Sequence, residues 1–290
     1  MSKNKFGFLM LLPSIVFLFL TTIVPTYFLW KWSFLEYVLY KPQDVHWNWF
    51  NNYITAFIRD RNFYQSVGIT LLYVGAALLI QLSLGMLIAL QLNRDLPGHR
   101  VMSSLMIAPM VIPSIVVGLI WKMMFEETSG VINGVFNYIK IPPFPWLGDM
   151  NTALISLVIT DSWQWIPFVA LVLLTGLKGL PKDPLEAAKI DGATSWQTFI
   201  SVTVPLLRPI IIIVVLLRII WILREFDLIY MMTSGGPGNA TRTLSFYIFQ
   251  NGLVWLKTGY AATLSIILLN LSVFIAGRFL KFFPKDQEAV

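Results

Sequence analysis

The chain has 290 residues, of which 57% are hydrophobic, 14% aromatic and only 12% charged, whereas soluble domains carry about 25% charged residues. The apolar residues arrive in long runs, so the composition places the chain in lipid rather than in water. The net charge of +6 comes without a basic stripe of interleaved aromatics, which argues against nucleic acid. The absence of cysteine excludes a disulfide framework or a zinc–thiolate site, and His46 and His99 alone exclude a multi-histidine metal centre.

A bilayer core about 30 Å thick takes roughly 20 apolar residues to cross as a helix. In chain order, 7–30 is the first such run. Lys3 and Lys5 before it resemble the start of a signal peptide, but the run is too long for one and no A-x-A cleavage pattern follows, so it reads as a retained span. The second, 67–92, has no charge. The third, 101–121, ends before Lys122, and the fourth, 150–177, is interrupted only by Asp161. The fifth, 205–223, contains Arg208 and Arg218, and the sixth is 258–277. These runs are too continuous for barrel strands of about ten alternating residues. The expectation is an all-α integral membrane protein of six transmembrane helices, folded as a single membrane domain over 1–290.

Lys and Arg set the orientation. Ten lie on the short segments around 3–5, 94–100, 178–189 and 278–285, and eight are spread over the longer loops 31–66, 126–149 and 224–257. That bias puts both termini in the cytoplasm. Trp32, Trp47, Trp49, Trp146 and Trp255 in the long loops read as headgroup-level anchors. Gln81 and Asn270 read as interhelical hydrogen-bond partners.

The connection 180–209 reads LPKDPLEAAKIDGATSWQTFISVTVPLLRP. Asp183 is placed to cap a helix whose first residue is Pro184 and whose third is Glu186. That helix meets Asp191-Gly192, where glycine takes the left-handed conformation that stops it. Thr194 and Gln197 then form a second capping box, opening a helix with Trp196, Phe199 and Ile200 that reaches Pro205. By capping alone, this is a pair of short surface helices.

The string EAAKIDGATSWQTFISVTVPLLRP is similar to the EAA loop of the permease subunits of binding-protein-dependent ABC importers. Glu186, Ala187, Ala188, Asp191, Gly192, Ala193, Phe199, Val202 and Pro205 fill the family pattern without a gap. The region 105–133, with its prolines in APMVIPS, resembles the carbohydrate branch. FDLIYMMTSGGPGNAT at 226–241 resembles the maltose-type first permease subunit. The resemblance implies a type I importer permease fold in the plasma (inner) membrane. It also implies that the loop is a coupling helix docking on a cytoplasmic ATPase, with Glu186 offering a carboxylate, Gly192 the turn, and Ala187, Ala188 and Ala193 a slim profile. The implied partners are a second homologous permease, an ATP-binding-cassette dimer and an extracytoplasmic solute-binding protein. This chain has no G-x-x-x-x-G-K-[ST] loop, so ATP and Mg belong to the ATPase and the chain itself binds no cofactor.

An ionisable residue at mid-membrane costs at least about 2.5–3.5 kcal/mol on insertion scales, so Asp161 and Arg218 are candidate functional residues. By resemblance, Met110, Ser114, Asp161, Gln164, Trp165, Arg218 and Glu225 match positions that face the central cavity and touch sugar. Trp165, Trp221 and Gln164 suit a pyranose, with its apolar face and hydroxyl rim. Asp161 and Arg218 equally suit an ion pair that satisfies two buried charges. Arg218 and Arg224 also allow an anionic cargo, such as a glycerol phosphate or an acidic sugar. An ion-coupled secondary carrier is the rival class, but no internal repeat supports it and it leaves the EAA loop unexplained. An intramembrane enzyme is disfavoured, since the chain has neither G-x-S-x-G nor H-E-x-x-H.

Overall fold

The computed structural model describes residues 3–94 and 98–281. Lys285, counted above with the cytoplasmic cations, lies outside them. The chain forms helices α1 (Lys3–Leu18), α2 (Val24–Ser33), α3 (Asn51–Ile54), α4 (Arg61–Leu92), α5 (His99–Val111), α6 (Ser114–Met124), α7 (Val131–Tyr138) and α8 (Ala153–Lys178). It continues with α9 (Lys182–Ile190), α10 (Ser195–Thr198), α11 (Val204–Leu223), α12 (Asp227–Met232), α13 (Leu244–Phe249) and α14 (Thr258–Leu280). The strands β1 (Leu35–Glu36) and β2 (His46–Trp47) make one small antiparallel hairpin. Among the described residues, five stretches are long and apolar enough to cross a membrane, and α5 with α6 makes a sixth if that bent pair is one span.

Two compact units are present: Met1–Gln65 with Tyr247–Leu271, and Ser66–Phe246 with Ser272–Val290. In the first, α1 and α2 join through the wide turn Phe19–Ile23 into one span, Met10–Ser33, none of whose apolar length is buried by the chain itself. Where it ends, buried Asn52 donates to the carbonyls of Ser33 and Leu35, at 2.9 Å each, and the Thr263 hydroxyl of α14 donates to Ser33 O at 3.1 Å. The two bonds to Ser33 O satisfy the last carbonyl of the helix, which has no partner within it.

In the second unit, α4, α8 and α11 enclose a core of Ala89, Leu92, Val169, Leu173, Leu177, Leu207 and Val214. Lipid tails are as apolar as leucine, so close packing rather than water exclusion holds such helices together, and small residues set the approach. A Cβ at Gly176 would come within 2.5 Å of Ile210 Cδ1 and 2.7 Å of Leu207 Cδ1, so the missing side chain lets these two residues of α11 pack directly against α8.

Three expectations need correction. The third span is not one helix. The axes of α5 and α6 differ by 96°, because Pro113 drives the residue before it out of the helical region and Ile112 is extended at φ −75°, ψ 128°. The helix that carries the fifth span begins ten residues earlier than 205, at Ser195, so α10 runs into it instead of stopping at Pro205. A wide turn over Phe199–Thr203, in which Val204 N–H reaches Phe199 O, shifts the backbone ladder just before Pro205, whose nitrogen has no hydrogen to donate. Helix α9 begins at Lys182 with Pro181 at its cap, and no side chain caps it, so Asp183 lies in its first turn instead.

Two polar residues also differ from expectation. Asn270 is exposed and donates to Ile266 O of its own helix at 2.9 Å. Trp146 is not a free headgroup anchor. Buried Asn133 accepts its indole N–H at 3.1 Å, and Phe125, Phe136 and Phe144 surround it at 4.8–5.8 Å between ring centroids. Trp47 and Trp49 remain exposed.

The break at Ile112 leaves a carbonyl without a helical partner, and Gln164 of α8 supplies one, with Nε2 at 2.9 Å. Both its burial, with 2% of the residue exposed, and this bond give Gln164 a structural duty. Gln164→Leu should destabilise the protein by about 1–3 kcal/mol through the orphaned carbonyl, read as a lower thermal midpoint in detergent. A residue that only touched cargo would leave that midpoint unchanged.

Candidate functional site

The mid-membrane site is built from α4, α8 and α11. Asp161 and Arg218, each only 1% exposed, meet with Nη2 at 2.8 Å from Oδ2. Gln81 closes a triangle: its Nε2 donates to Asp161 Oδ2 at 2.7 Å, and its Oε1 accepts from Arg218 Nε at 2.7 Å. The charges of carboxylate and guanidinium are thus paired and the Gln81 amide bonds to both, while Asp161 Oδ1 and Arg218 Nη1 take no part in the triangle. Breaking a buried ion pair by removing one partner typically costs about 3–5 kcal/mol, because the other charge is left uncompensated.

The guanidinium is also covered. Its Cζ lies 4.9 Å from the Trp165 ring and 5.8 Å from that of Trp221. The Trp165 and Trp221 centroids are 4.9 Å apart, and Phe168 adds a third ring 4.9 Å from Trp221. Trp165 and Phe168 fall on one face of α8 by their spacing of three. The result is a half-buried aromatic wall over a neutralised charge pair. Phe168 went unnoticed in the sequence because an aromatic in an apolar span carries no signal of its own; its spacing from Trp165 is the only clue.

The remaining pathway candidates occupy different places. Met110 is in the last turn of α5 and Ser114 opens α6, so they flank the break, and both are half-buried. Glu225 follows α11, and its Oε1 accepts the N–H of Leu228 in the first turn of α12 at 3.1 Å. Burial first, then the nearby Asp161 carboxylate, pushes the Glu225 carboxyl from 4.5 up to about 7. Arg224 beside it is exposed. Asp161, Gln164, Trp165 and Arg218 are joined, directly or through α8; Glu225 belongs to the start of α12.

The second site is the loop around α9. Glu186, Ala187 and Ala188 lie on α9, with the first two exposed. Its stop is a Schellman arrangement: Ala193 N–H reaches Ala188 O at 3.0 Å, Gly192 N–H reaches Lys189 O at 3.1 Å, and Gly192 has φ +75°. Asp191 is the last residue before that turn. Both halves of the Thr194–Gln197 capping box are made. Ile190, 86% exposed, and Trp196, 68% exposed, are thereby held out as apolar side chains on a rigid turn.

A family model described as the binding-protein-dependent transport system inner membrane component matches residues 81–282, a stretch containing both sites. The chain belongs to this family. A trehalose/maltose transport system permease protein of Thermococcus litoralis is 34% identical over 248 residues, covering 86% of this chain and 83% of the relative. A sulfoquinovosyl glycerol transport system permease protein of Agrobacterium fabrum is 34% identical over 277 residues, covering 94% and 88%. The fold is shared with a bacterial ABC transporter involved in the import of the acidic polysaccharide alginate. The TM-score is 0.81 at 21% identity, with 98% of each chain covered. The chain is therefore an inner-membrane permease subunit, without catalysis of its own, in a system whose ATP hydrolysis falls to a partner ATPase.

The carboxyl of Glu225 has a consequence for stability. Between pH 4.5 and 7 the folded chain holds a proton there that the unfolded chain releases. Stability therefore falls as pH rises through that window. The thermal midpoint of Glu225→Gln should show a flatter dependence on pH over this range than the wild type.

Proposed function

We propose that this permease forms one half of the translocation pathway of an ATP-driven importer for a neutral sugar or oligosaccharide. Its partners in this reading are a second, homologous but distinct permease, an ATP-binding-cassette dimer carrying ATP and Mg, and an extracytoplasmic solute-binding protein. Both termini are cytoplasmic, in keeping with the Lys/Arg density. In this reading α9 is the coupling helix, with Glu186, Asp191 and the exposed Ile190 and Trp196 as its docking surface. The small residues Ala187, Ala188 and Ala193 and the turn at Gly192 let it enter a cleft. A rigid short helix of this kind transmits ATPase closure as tilting of whole spans.

The cargo reading rests on one observation above all: the charge of Arg218 is already paired. Its charge is matched by Asp161, its Nε by Gln81, and its face by Trp165 and Trp221. What this leaves for a ligand is an aromatic platform, which suits the apolar face of a pyranose. Met110, Ser114, Trp165 and Glu225 are the pathway residues we assign. Asp161, Gln164 and Arg218 position them from behind. The second reading, an anionic cargo, rests on exposed Arg224 and on the sulfoquinovosyl glycerol permease among the relatives.

Uptake into proteoliposomes holding the whole transporter separates the elements of this reading. Glu186→Lys should abolish binding-protein stimulation of the ATPase and uptake together. Trp165→Ala should lower uptake of a neutral oligosaccharide about tenfold, the size of a lost contact of ~1.4 kcal/mol, with basal ATPase activity intact. An unaffected neutral sugar alongside loss of an acidic one on Arg224→Gln would favour the anionic reading.

A further inference from the structure

The unit Met1–Gln65 with Tyr247–Leu271 contains a concavity of about 790 Å³ that the transport reading does not use. It lies where the chain leaves its apolar segments: α2 ends at Ser33, α4 begins at Arg61 and α14 begins at Thr258. Backbone bonds from Leu39 N–H to Leu256 O at 2.8 Å and from Gly259 N–H to Tyr37 O at 2.9 Å tie these ends together. The hollow therefore belongs at headgroup level, where Trp and Tyr are enriched, and Tyr37 and Trp255 line it.

The charges around it are unevenly spent. Asp60 accepts the hydroxyls of Tyr247 at 2.7 Å and Tyr260 at 2.5 Å on one oxygen, and Asn62 N–H at 2.9 Å on the other. Glu36 faces His46 at 3.2 Å. The buried amides are also committed, Asn52 to Ser33 and Leu35 carbonyls and Asn251 to Tyr247 O. A sugar would need those planar amides free. Arg59 and Lys257, in contrast, line the hollow without an ion-pair partner among the described residues, and Arg61 stands just outside it in the same condition. Exposed cations alone say little. Here they border a walled hollow in which Asp60 keeps its charge but is wrapped by two tyrosine hydroxyls and Glu36 faces His46, so the N–H groups of Arg59 and of Lys257, whose Nζ lies 5.9 Å from the Trp255 ring, are the ones open to an oxyanion.

We propose that this hollow binds the phosphate of an anionic phospholipid headgroup through Arg59 and Lys257. Lipid bound there holds the ends of three spans together and stabilises the folded permease by mass action. A soluble phosphate offers the same chemistry, and the test separates the two sources.

The assembled transporter is placed in nanodiscs of phosphatidylglycerol or of phosphatidylcholine. Its thermal midpoint is read, and retained lipid is counted by native mass spectrometry after transfer to detergent. Compared are the wild type, Arg59→Gln with Lys257→Gln, and Lys41→Gln, which removes a cation of the same loop outside the hollow. Wild type and Lys41→Gln should retain phosphatidylglycerol and show a higher midpoint in its discs than in phosphatidylcholine. The double variant should lose both effects while matching the wild-type midpoint in phosphatidylcholine, which also shows that it folds. Equal retention by the double variant, or no preference between the lipids, overturns the proposal. So does inorganic phosphate in phosphatidylcholine discs, if it raises the midpoint as far as phosphatidylglycerol does. None of these readouts depends on which cargo is transported.

Discussion

The second unit is organised around three side chains that cannot be left alone in a bilayer. Asp161 and Arg218 would each be costly at mid-membrane, and Gln81 would carry an amide with nothing to bond. Brought together from α8, α11 and α4, each bonds to the other two. The requirement is geometric as well as energetic: the three helices must present these residues at one depth and one rotation. Because lipid provides no hydrophobic drive for helix association, the polar triangle and the close approach at Gly176 specify how α4, α8 and α11 meet. The apolar side chains around them fill space.

From that constraint follows a division of labour along α8. One part of its surface carries Asp161 to the triangle and another carries Gln164 to the open carbonyl of the α5–α6 break. Trp165 and Phe168 form the aromatic wall with Trp221. A single helix thus fixes the charge pair, the break and the platform relative to one another. The loop end of the unit is equally defined, since the Schellman stop at Gly192 and the Thr194–Gln197 box leave α9 little freedom relative to α10. Helix α10 continues through the wide turn at Phe199–Thr203 into α11. In the coupling proposed for α9, a push on it passes along a helix that carries Arg218.

Most of the spans are legible in the sequence because hydropathy needs only composition, and the capping box and the glycine stop are legible because each is a local pattern. What fails is whatever depends on a neighbour. Hydropathy averages over Ile112–Pro113 and makes one span of α5 and α6, although the two prolines of APMVIPS already mark the strain. Pro205 reads as a boundary by the usual rule, but a wide turn absorbs it. Asp183 has the right spacing for a cap, yet the helix starts one residue before it. Asp161 and Arg218 are 57 residues apart, and pairing or ligand contact are equally consistent with their identities. Only the position of Gln81 and the ring of Trp165 decide in favour of pairing.

The central claim is that the charge of Arg218 belongs to the architecture and not to the cargo. A double-mutant cycle on Asp161→Leu and Arg218→Met, reading the thermal midpoint and sugar uptake of the assembled transporter, tests it most directly. Each single variant should be strongly destabilised, and the neutral pair should recover most of the midpoint along with measurable uptake, because no unpaired charge remains. Strictly additive losses, or a stable double variant that has lost uptake altogether, would contradict the claim and return Arg218 to the cargo.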